Sequence, residues 1–240
     1  MNKTQQSFAY LNRSFKPARF IVKLRDCLTM NKRPFGQISL AVQPRLTNGY
    51  SSLDKPEVTP SGIYAYFSIA DGDYLVTLSA LYYLSKQFSI SLPFTLSEKD
   101  PESPIDEELT IELEGESVIA TVLMLPAPSY LFSPGSILIR ILFRSFKNKI
   151  PIPDAKIYAV KTVENKKVSV YVGRTDANGQ SVLSINRVSS EQIVQINGID
   201  FNGPKKIDII ALDVTSGAYV TQKFVLLDEV FQTINMIIEL

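Results

Sequence analysis

Apolar and polar residues alternate with a period of two along most of this chain. Segments such as 19–26 (RFIVKLRD), 63–69 (IYAYFSI) and 206–214 (KIDIIALDV) place β-branched and aromatic residues at alternating positions. No stretch keeps the i, i+3, i+4, i+7 spacing of an amphipathic helix over three turns. The pattern therefore predicts an all-β protein.

Short predicted strands bounded by turn residues fill both halves of the chain. In the first half they are 19–26, 37–43, 63–69, 73–80, 88–96, 108–114 and 117–125. In the second half they are 136–145, 155–161, 167–174, 179–185, 192–197, 206–214, 218–227 and 233–240. Seven or eight such strands in about 100 residues are typical of a β-sandwich, so we predict two immunoglobulin-like or transthyretin-like sandwiches in tandem.

A proline-rich segment separates the two groups of strands. Residues 126–135 read PAPSYLFSPG, and three prolines and a glycine cannot continue a β-ladder. We predict an N-terminal arm at 1–18, a first sandwich at 19–125, a linker at 126–135 and a second sandwich at 136–240. Tyr130, Leu131 and Phe132 are too apolar for a solvated linker, so we expect them to pack against one or both domains and to limit interdomain motion.

Two short connections predict β-hairpins, because Gly, Asn and Asp tolerate the positive φ that tight turns require. They are residues 71–73 (DGD) and 176–179 (DANG). Several tyrosines lie in or just after the first one: Tyr64, Tyr66, Tyr74, Tyr82 and Tyr83. We interpret them as half-buried strand residues with hydroxyls at the surface, and a platform for ligand stacking is the alternative.

Charge is nearly balanced overall but unevenly distributed. The net charge of +1 argues against a dedicated nucleic-acid-binding protein. Residues 1–35 nevertheless carry eight basic residues against one acid, and residues 98–116 carry nine acids against one lysine. Such asymmetry suits docking to partner proteins, and solvated surface charge remains the alternative.

Residues suited to catalysis are scarce. The chain has no histidine, which removes His-based triads, the usual metal sites and the commonest general base. A single cysteine, Cys27, cannot form an internal disulfide and is predicted to be a core residue. Phosphate-binding glycine motifs are also missing. We predict a non-enzymatic protein without cofactor or metal; a carboxylate pair in the acidic stretch is the remaining enzymatic alternative, and a solvated loop is favoured.

Targeting features point to the cytoplasm at synthesis. The first 16 residues, MNKTQQSFAYLNRSFK, lack the apolar run of a secretory signal, and no apolar run is long enough to cross a bilayer. We predict no integral membrane segment and leave open release within an extracellular particle. The C-terminal TINMIIEL is predicted to complete its own sheet, and augmentation of a partner's sheet is the alternative.

Two stretches resemble a known module. PIPDAKIYAV followed by GRTDANGQSVLSI, within 151–185, is similar to the carboxypeptidase regulatory-like, transthyretin-related domain. SGIYAYFSIADGDYLVTLSA at 61–80 resembles the complementary part of that pattern. The joining segment matches Leu-Pro-x-Pro-x-Tyr-x-Phe-x-x-Gly at Leu125, Pro126, Pro128, Tyr130, Phe132 and Gly135. This order of parts resembles tandem-domain proteins of contractile injection systems, which are phage-tail-like particles, although the family's glycine-rich hairpins are replaced by NKR and VENKK.

The resemblance implies a structural subunit, in particular a cap adaptor that links the cap to the end of the sheath and tube. Its partners would be cap, sheath or tube proteins of a large symmetric assembly, without nucleic acid. The candidate protein-binding residues lie in the arm and the linker: Phe8, Tyr10, Arg13, Phe15, Lys16, Tyr130 and Phe132. The alternative function is an adhesin-like or glycan-binding β-sandwich module that uses the tyrosine-rich segment.

Overall fold

The computed structural model describes residues 17–29, 33–45, 55–94, 107–163, 166–187, 193–202, 206–225 and 233–240. Regular structure in these residues consists of β-strands, which confirms the predicted fold class of tandem β-sandwiches. Within the same residues there is no helix that could cross a membrane. The predicted arm lies outside the described residues except for Pro17 and Ala18.

Alternating burial along the strands produces the sheets. The first eight strands are β1 (Phe20–Asp26), β2 (Ile38–Pro44), β3 (Glu57–Val58), β4 (Ile63–Tyr66), β5 (Gly72–Ala80), β6 (Tyr83–Leu92), β7 (Leu109–Glu114) and β8 (Ser117–Met124). The other nine are β9 (Ile137–Arg144), β10 (Lys156–Val163), β11 (Lys166–Arg174), β12 (Gln180–Arg187), β13 (Ile193–Ile196), β14 (Ile199–Asn202), β15 (Lys206–Leu212), β16 (Tyr219–Val225) and β17 (Thr233–Glu239).

The first sandwich pairs a five-stranded sheet, ordered β3-β4-β1-β8-β7, with a three-stranded sheet, ordered β2-β5-β6. Strands β1 and β8 are parallel, with Phe20 opposite Val118 and Asp26 opposite Met124. Their inward residues form one core with those of β5 and β6, including the fully buried Phe20. The sandwich therefore has a distal end, where β1 begins, and a proximal end, where β1 and β8 finish.

The second sandwich pairs a four-stranded sheet, ordered β11-β10-β15-β16, with a five-stranded sheet, ordered β14-β13-β12-β9-β17. Its core is rich in isoleucine and includes the fully buried Phe143. The C-terminal strand β17 runs parallel to β9, with Ile234 opposite Ile139. The prediction that this strand completes its own sheet is thus confirmed.

Both predicted hairpins are wrong. Strand β4 pairs with β1 and β3, whereas β5 pairs with β2 and β6, so the connection at residues 67–71 carries the chain from one sheet to the other, and Gly72 and Asp73 already belong to β5. The turn at 176–179 likewise connects β11 and β12, which belong to opposite sheets. The second of these connections is a tight turn, since Asp176 N–H donates to the Gln180 carbonyl at 2.8 Å. Turn chemistry marks a change of direction, but it does not determine which strands pair afterwards.

Strand boundaries depart from the predictions where turn signals were weak. Strand β6 begins at Tyr83 instead of 88 and ends at Leu92, before a cis Leu92-Pro93 bond. Strands β3 and β14 were not predicted. Strand β14 follows Asn197-Gly198, whose φ angles of 47° and 78° suit a two-residue hairpin turn.

Candidate interdomain interface

The proximal end of the first sandwich meets the second sandwich at a small apolar cluster. The buried Cys27, Leu84, Leu125 and Ala127 form it, and Tyr171 from β11 of the second sandwich packs against it. The chain just after β8 bonds to the start of β6, since Leu84 N–H donates to the Leu125 carbonyl at 2.9 Å. The apolar contact therefore joins residues from both sandwiches.

Glu108, just before β7, is the main polar residue of this interface and is only 6% exposed. Its carboxylate accepts a hydrogen bond from the Tyr171 hydroxyl at 2.7 Å and from Arg174 Nε at 3.0 Å. Lys86 Nζ lies 3.6 Å from the same carboxylate. A carboxylate of the first sandwich is thus held by two side chains of the second.

Arg174 makes one further contact across the interface and one within its own sandwich. Its Nη2 donates to the Ser85 carbonyl at 2.7 Å, and its Nη1 donates to Asp154 at 2.6 Å. Burial alone would lower the pKa of Arg174, but Glu108 and Asp154 outweigh it and leave the pKa above its ordinary value. The guanidinium is a permanent cation that bridges the two domains.

Beside this buried pair lies a second, more exposed one. Glu107 accepts a hydrogen bond from Lys156 Nζ at 2.6 Å and from the Tyr158 hydroxyl at 3.2 Å. Burial raises the pKa of Tyr171, with the charge of Glu108 adding to the effect, so this hydroxyl stays protonated as a donor. We refer below to Glu107, Glu108, Lys156, Tyr171 and Arg174 as the polar joint.

Backbone packing also holds the two domains together. Cys27 Sγ lies 3.5 Å from the Asn197 carbonyl in a weak S–H···O bond. A Cβ added at Gly198 would lie 2.6 Å from the Cys27 carbonyl oxygen and 2.7 Å from that of Leu28. Burial raises the pKa of the Cys27 thiol to about 12, with Asp26 and Glu108 adding to the effect. Cys27 is buried as predicted, but it lies in the turn after β1 instead of in a strand, at the contact between the two sandwiches.

A second buried carboxylate fixes the linker to the first sandwich. Asp26, 2% exposed, accepts hydrogen bonds from the hydroxyls of Tyr83 at 2.7 Å and Tyr130 at 2.8 Å. Its other oxygen accepts the backbone N–H groups of Leu28 at 2.7 Å and Thr29 at 3.2 Å. The Tyr130 ring also packs edge-on against Tyr83 and Phe35. The linker is thereby tied to the end of β1.

The predicted binding residues fall into two groups. Phe8, Tyr10, Arg13, Phe15 and Lys16 lie outside the described residues. Tyr130 is buried on Asp26 and Phe132 is partly buried against the first core, so both pack within the molecule as expected for the linker, while Leu131 is 64% exposed. A protein-binding role for these residues stays a prediction.

Two interpretations of the sequence differ from the structure. The tyrosines at positions 64, 66, 74 and 83 are buried instead of half-exposed, and the Tyr83 hydroxyl points to Asp26 and not to the surface. Within the acidic stretch, Glu108 is a buried interface residue and not part of a solvated loop. No local signal could have revealed this, because its partners Tyr171 and Arg174 lie more than 60 residues away.

In the described part of the chain, every buried side-chain nitrogen and oxygen has a hydrogen-bond partner. The same residues contain no group of three or more His, Cys, Asp or Glu side chains that could hold a metal ion. The carboxylate oxygens of Asp26 and Glu108 accept hydrogen bonds from donors of the protein itself. Such saturated carboxylates stabilise packing and fix orientation.

Structural comparison finds similar chains, some of which are named as pilins. The Bacillus anthracis TIE protein is 12% identical over 92% of this chain and 33% of its own length, with a TM-score of 0.29. A streptococcal ancillary pilin is 10% identical over 90% of this chain and 61% of its own, with a TM-score of 0.27. BcpA, the major pilin subunit of Bacillus cereus, is 9% identical over 92% of this chain and 98% of its own, with a TM-score of 0.24.

This chain spans about a third of the length of the first of these proteins and three fifths of the second. None of the three is named as a component of a contractile injection system. No protein-family model matches the sequence, and no curated protein matches it. Likeness at these scores carries no argument about function, which has to come from the chain's own geometry.

Proposed function

We propose that this chain is a non-enzymatic structural or adhesin-like module that holds two β-sandwiches as one rigid unit and joins other proteins through its surface. The observation that carries the proposal is the polar joint. The contact between Glu108 and Arg174 is costly to break, because a charge-assisted hydrogen bond is lost at a site where Glu108 is only 6% exposed. Two domains fixed in this way present binding surfaces at a constant distance and orientation.

The finer proposal is a cap adaptor of a contractile injection system, and it is supported by the order of sequence parts around residues 123–145. An adaptor between symmetric rings needs a rigid body and surfaces for different neighbours. Open sheet edges can supply such surfaces: in the described residues β7 and β17 are each paired on one side only. Localisation would follow the particle, with cytoplasmic synthesis before assembly or release.

A three-component binding experiment tests the adaptor role. Candidate cap, sheath and tube-end proteins are mixed with this chain, and complexes are measured by analytical ultracentrifugation. We expect one chain to bind two partners at once. Glu108→Ala should keep each pairwise affinity and lose the ternary complex, because the domains are no longer held in one orientation. Glu57→Ala is the matched control, since it removes an exposed acid from β3, at the opposite edge of the same sheet.

The second candidate is an adhesin-like or glycan-binding module, for which the same rigid joint would serve as a spacer. A glycan array with the intact chain separates the two candidates. Specific glycan binding without binding to cap, sheath or tube proteins would replace the adaptor role. Tyr64 and Tyr74 are unsuitable probes for this test because both side chains are buried.

A further inference from the structure

A cleft opens between the two sheets of the first sandwich at its distal end, far from the polar joint. Its volume is about 570 Å³. The lining comes from the start of β1, the end of β6 and the β7–β8 turn, and includes Arg19, Leu92, Phe94, Leu113, Glu116 and Val118. Leu113 is 40% exposed although it lies opposite the buried Val118. Apolar surface is therefore accessible between the sheets.

The rim of this cleft is acidic. Arg19 is neutralised locally, because its guanidinium pairs with Asp71 and donates to the Ile69 carbonyl at 2.8 Å. Glu116 lines the cleft, and Glu112 and Glu114 are exposed on the adjoining strand β7. In the described residues β7 pairs with β8 alone, so its outer edge offers backbone donors and acceptors. An extended segment carrying apolar and basic side chains fits this combination.

The chain contains a segment of matching composition. Residues 1–16 include Phe8, Tyr10, Leu11 and Phe15, carry Lys3, Arg13 and Lys16, and contain no acidic residue. The segment joins the described structure at Pro17, which itself lines the cleft. Strand bonding starts at Arg19, whose N–H donates to the Tyr66 carbonyl at 2.9 Å, so the axis of β1 points outward from the distal end.

We propose that this cleft binds residues 1–16 of a second copy of this chain. The inference rests on the proposed role as a joining subunit and names one of its partners. Because the arm starts at the same end of the molecule as the cleft, two copies can meet tip to tip and exchange arms reciprocally. Reciprocal exchange closes the contact into a two-fold dimer and leaves the second sandwiches at opposite ends.

Complementary charge makes the dimer sensitive to salt and to charge reversal. Glu116→Lys places a like charge beside the incoming Lys16 and Arg13, and should raise the dimer dissociation constant about tenfold. Glu57→Lys is the matched control, because Glu57 is exposed on β3 at the opposite edge of the same sheet. The triple variant Glu116→Lys, Arg13→Glu, Lys16→Glu should recover most of the affinity.

Disulfide trapping with sedimentation of the full chain is the deciding experiment. Chains carrying Leu113→Cys are mixed with chains carrying Phe15→Cys and oxidised; we expect a covalent dimer, and a much lower yield when Val58→Cys on the opposite edge replaces Leu113→Cys. Deletion of residues 1–16 should give a monomer. A doubly substituted Phe15→Cys, Leu113→Cys chain that closes a disulfide within a monomer overturns the proposal in favour of self-docking.

A monomer at every concentration also overturns it. If that monomer still forms ternary complexes with cap, sheath or tube proteins, the proposed function stands without the arm exchange. If ternary complexes also fail to form, the adaptor role fails with it.

Discussion

Asp26 and Glu108 are both buried carboxylates, but they accept hydrogen bonds from different parts of the molecule. Asp26 is surrounded by neutral donors of its own sandwich and of the linker, namely two hydroxyls and two backbone amides. Glu108 instead faces a cation and a hydroxyl from the other sandwich. Burial alone therefore does not reveal the role of a carboxylate. Asp26 fixes the linker to its own domain, and Glu108 connects two domains.

Asp26→Ala should produce the largest effect. It leaves two buried tyrosine hydroxyls and two backbone amides without an acceptor, which should lower the free energy of unfolding by about 4 kcal/mol. Urea unfolding measures the loss, and hydrogen exchange should show faster exchange throughout the first sandwich. Asp26→Asn, which keeps one acceptor oxygen, should lose about half as much. A loss below about 1 kcal/mol for Asp26→Ala would contradict the role assigned to this carboxylate.

Glu108→Ala should lower the free energy of unfolding less than Asp26→Ala does, but it should change the number of unfolding transitions. Removal of this acid takes the acceptor from the Tyr171 hydroxyl and from Arg174 Nε, while Asp154 and the Ser85 carbonyl still accept from Arg174, and should cost about 3 kcal/mol. Because the lost contacts lie between domains, we expect the single calorimetric transition of the parent chain to divide into two. Faster hydrogen exchange should be confined to residues near the polar joint. Faster exchange throughout either core would contradict the assignment of Glu108 to the interface.

The sequence predicted the strands and the all-β fold class better than the contacts of the polar joint. Period-two alternation identified the strands because each sheet buries one face. The exposed or buried state of Glu108 depends on residues more than 60 positions away, and no local pattern encodes that distance. The same reason explains the two wrong hairpins, since strand pairing is decided by which sheet receives each apolar face. Asn197-Gly198 is a two-residue hairpin signal, and it is enough to predict that a strand, β14, follows.

The effect of the close backbone approach at Gly198 can be distinguished from the cost of its positive φ by a matched pair of variants. Gly198 and Gly217 have similar φ angles of 78° and 71°, but an added Cβ meets the Cys27 and Leu28 carbonyls only at Gly198. Gly217→Ala should cost about 1 kcal/mol for its backbone conformation. Gly198→Ala should cost about 1–2 kcal/mol more because the interface must shift. Equal losses in urea unfolding would show that close approach at Gly198 is unimportant.

Raising the pH should change the stability least. The effect is negligible near pH 7 and grows at alkaline pH. Burial and the hydrogen bond to Asp26 raise the pKa values of Tyr83 and Tyr130, and burial and Glu108 raise that of Tyr171. The unfolded chain loses these protons near pH 10 and that of Cys27 near pH 9, while the folded chain keeps them. The unfolded state then binds fewer protons, so stability falls as pH rises.

Thermal unfolding at stepped pH checks this expectation. The melting temperature should stay level up to about pH 9 and then fall steadily. Tyrosinate absorbance from these three residues should develop together with unfolding and not before it. Ionisation of the full set of tyrosines in a chain that remains folded would contradict their placement.

Residual dipolar couplings of the intact chain in a weakly aligned medium test the central claim most directly. If the polar joint makes the two sandwiches one body, couplings from β1, β5 and β8 and from β9, β10 and β12 should fit a single alignment tensor with the interdomain orientation of this structure. Two tensors of different magnitude or direction would contradict the account, because the domains would then reorient independently.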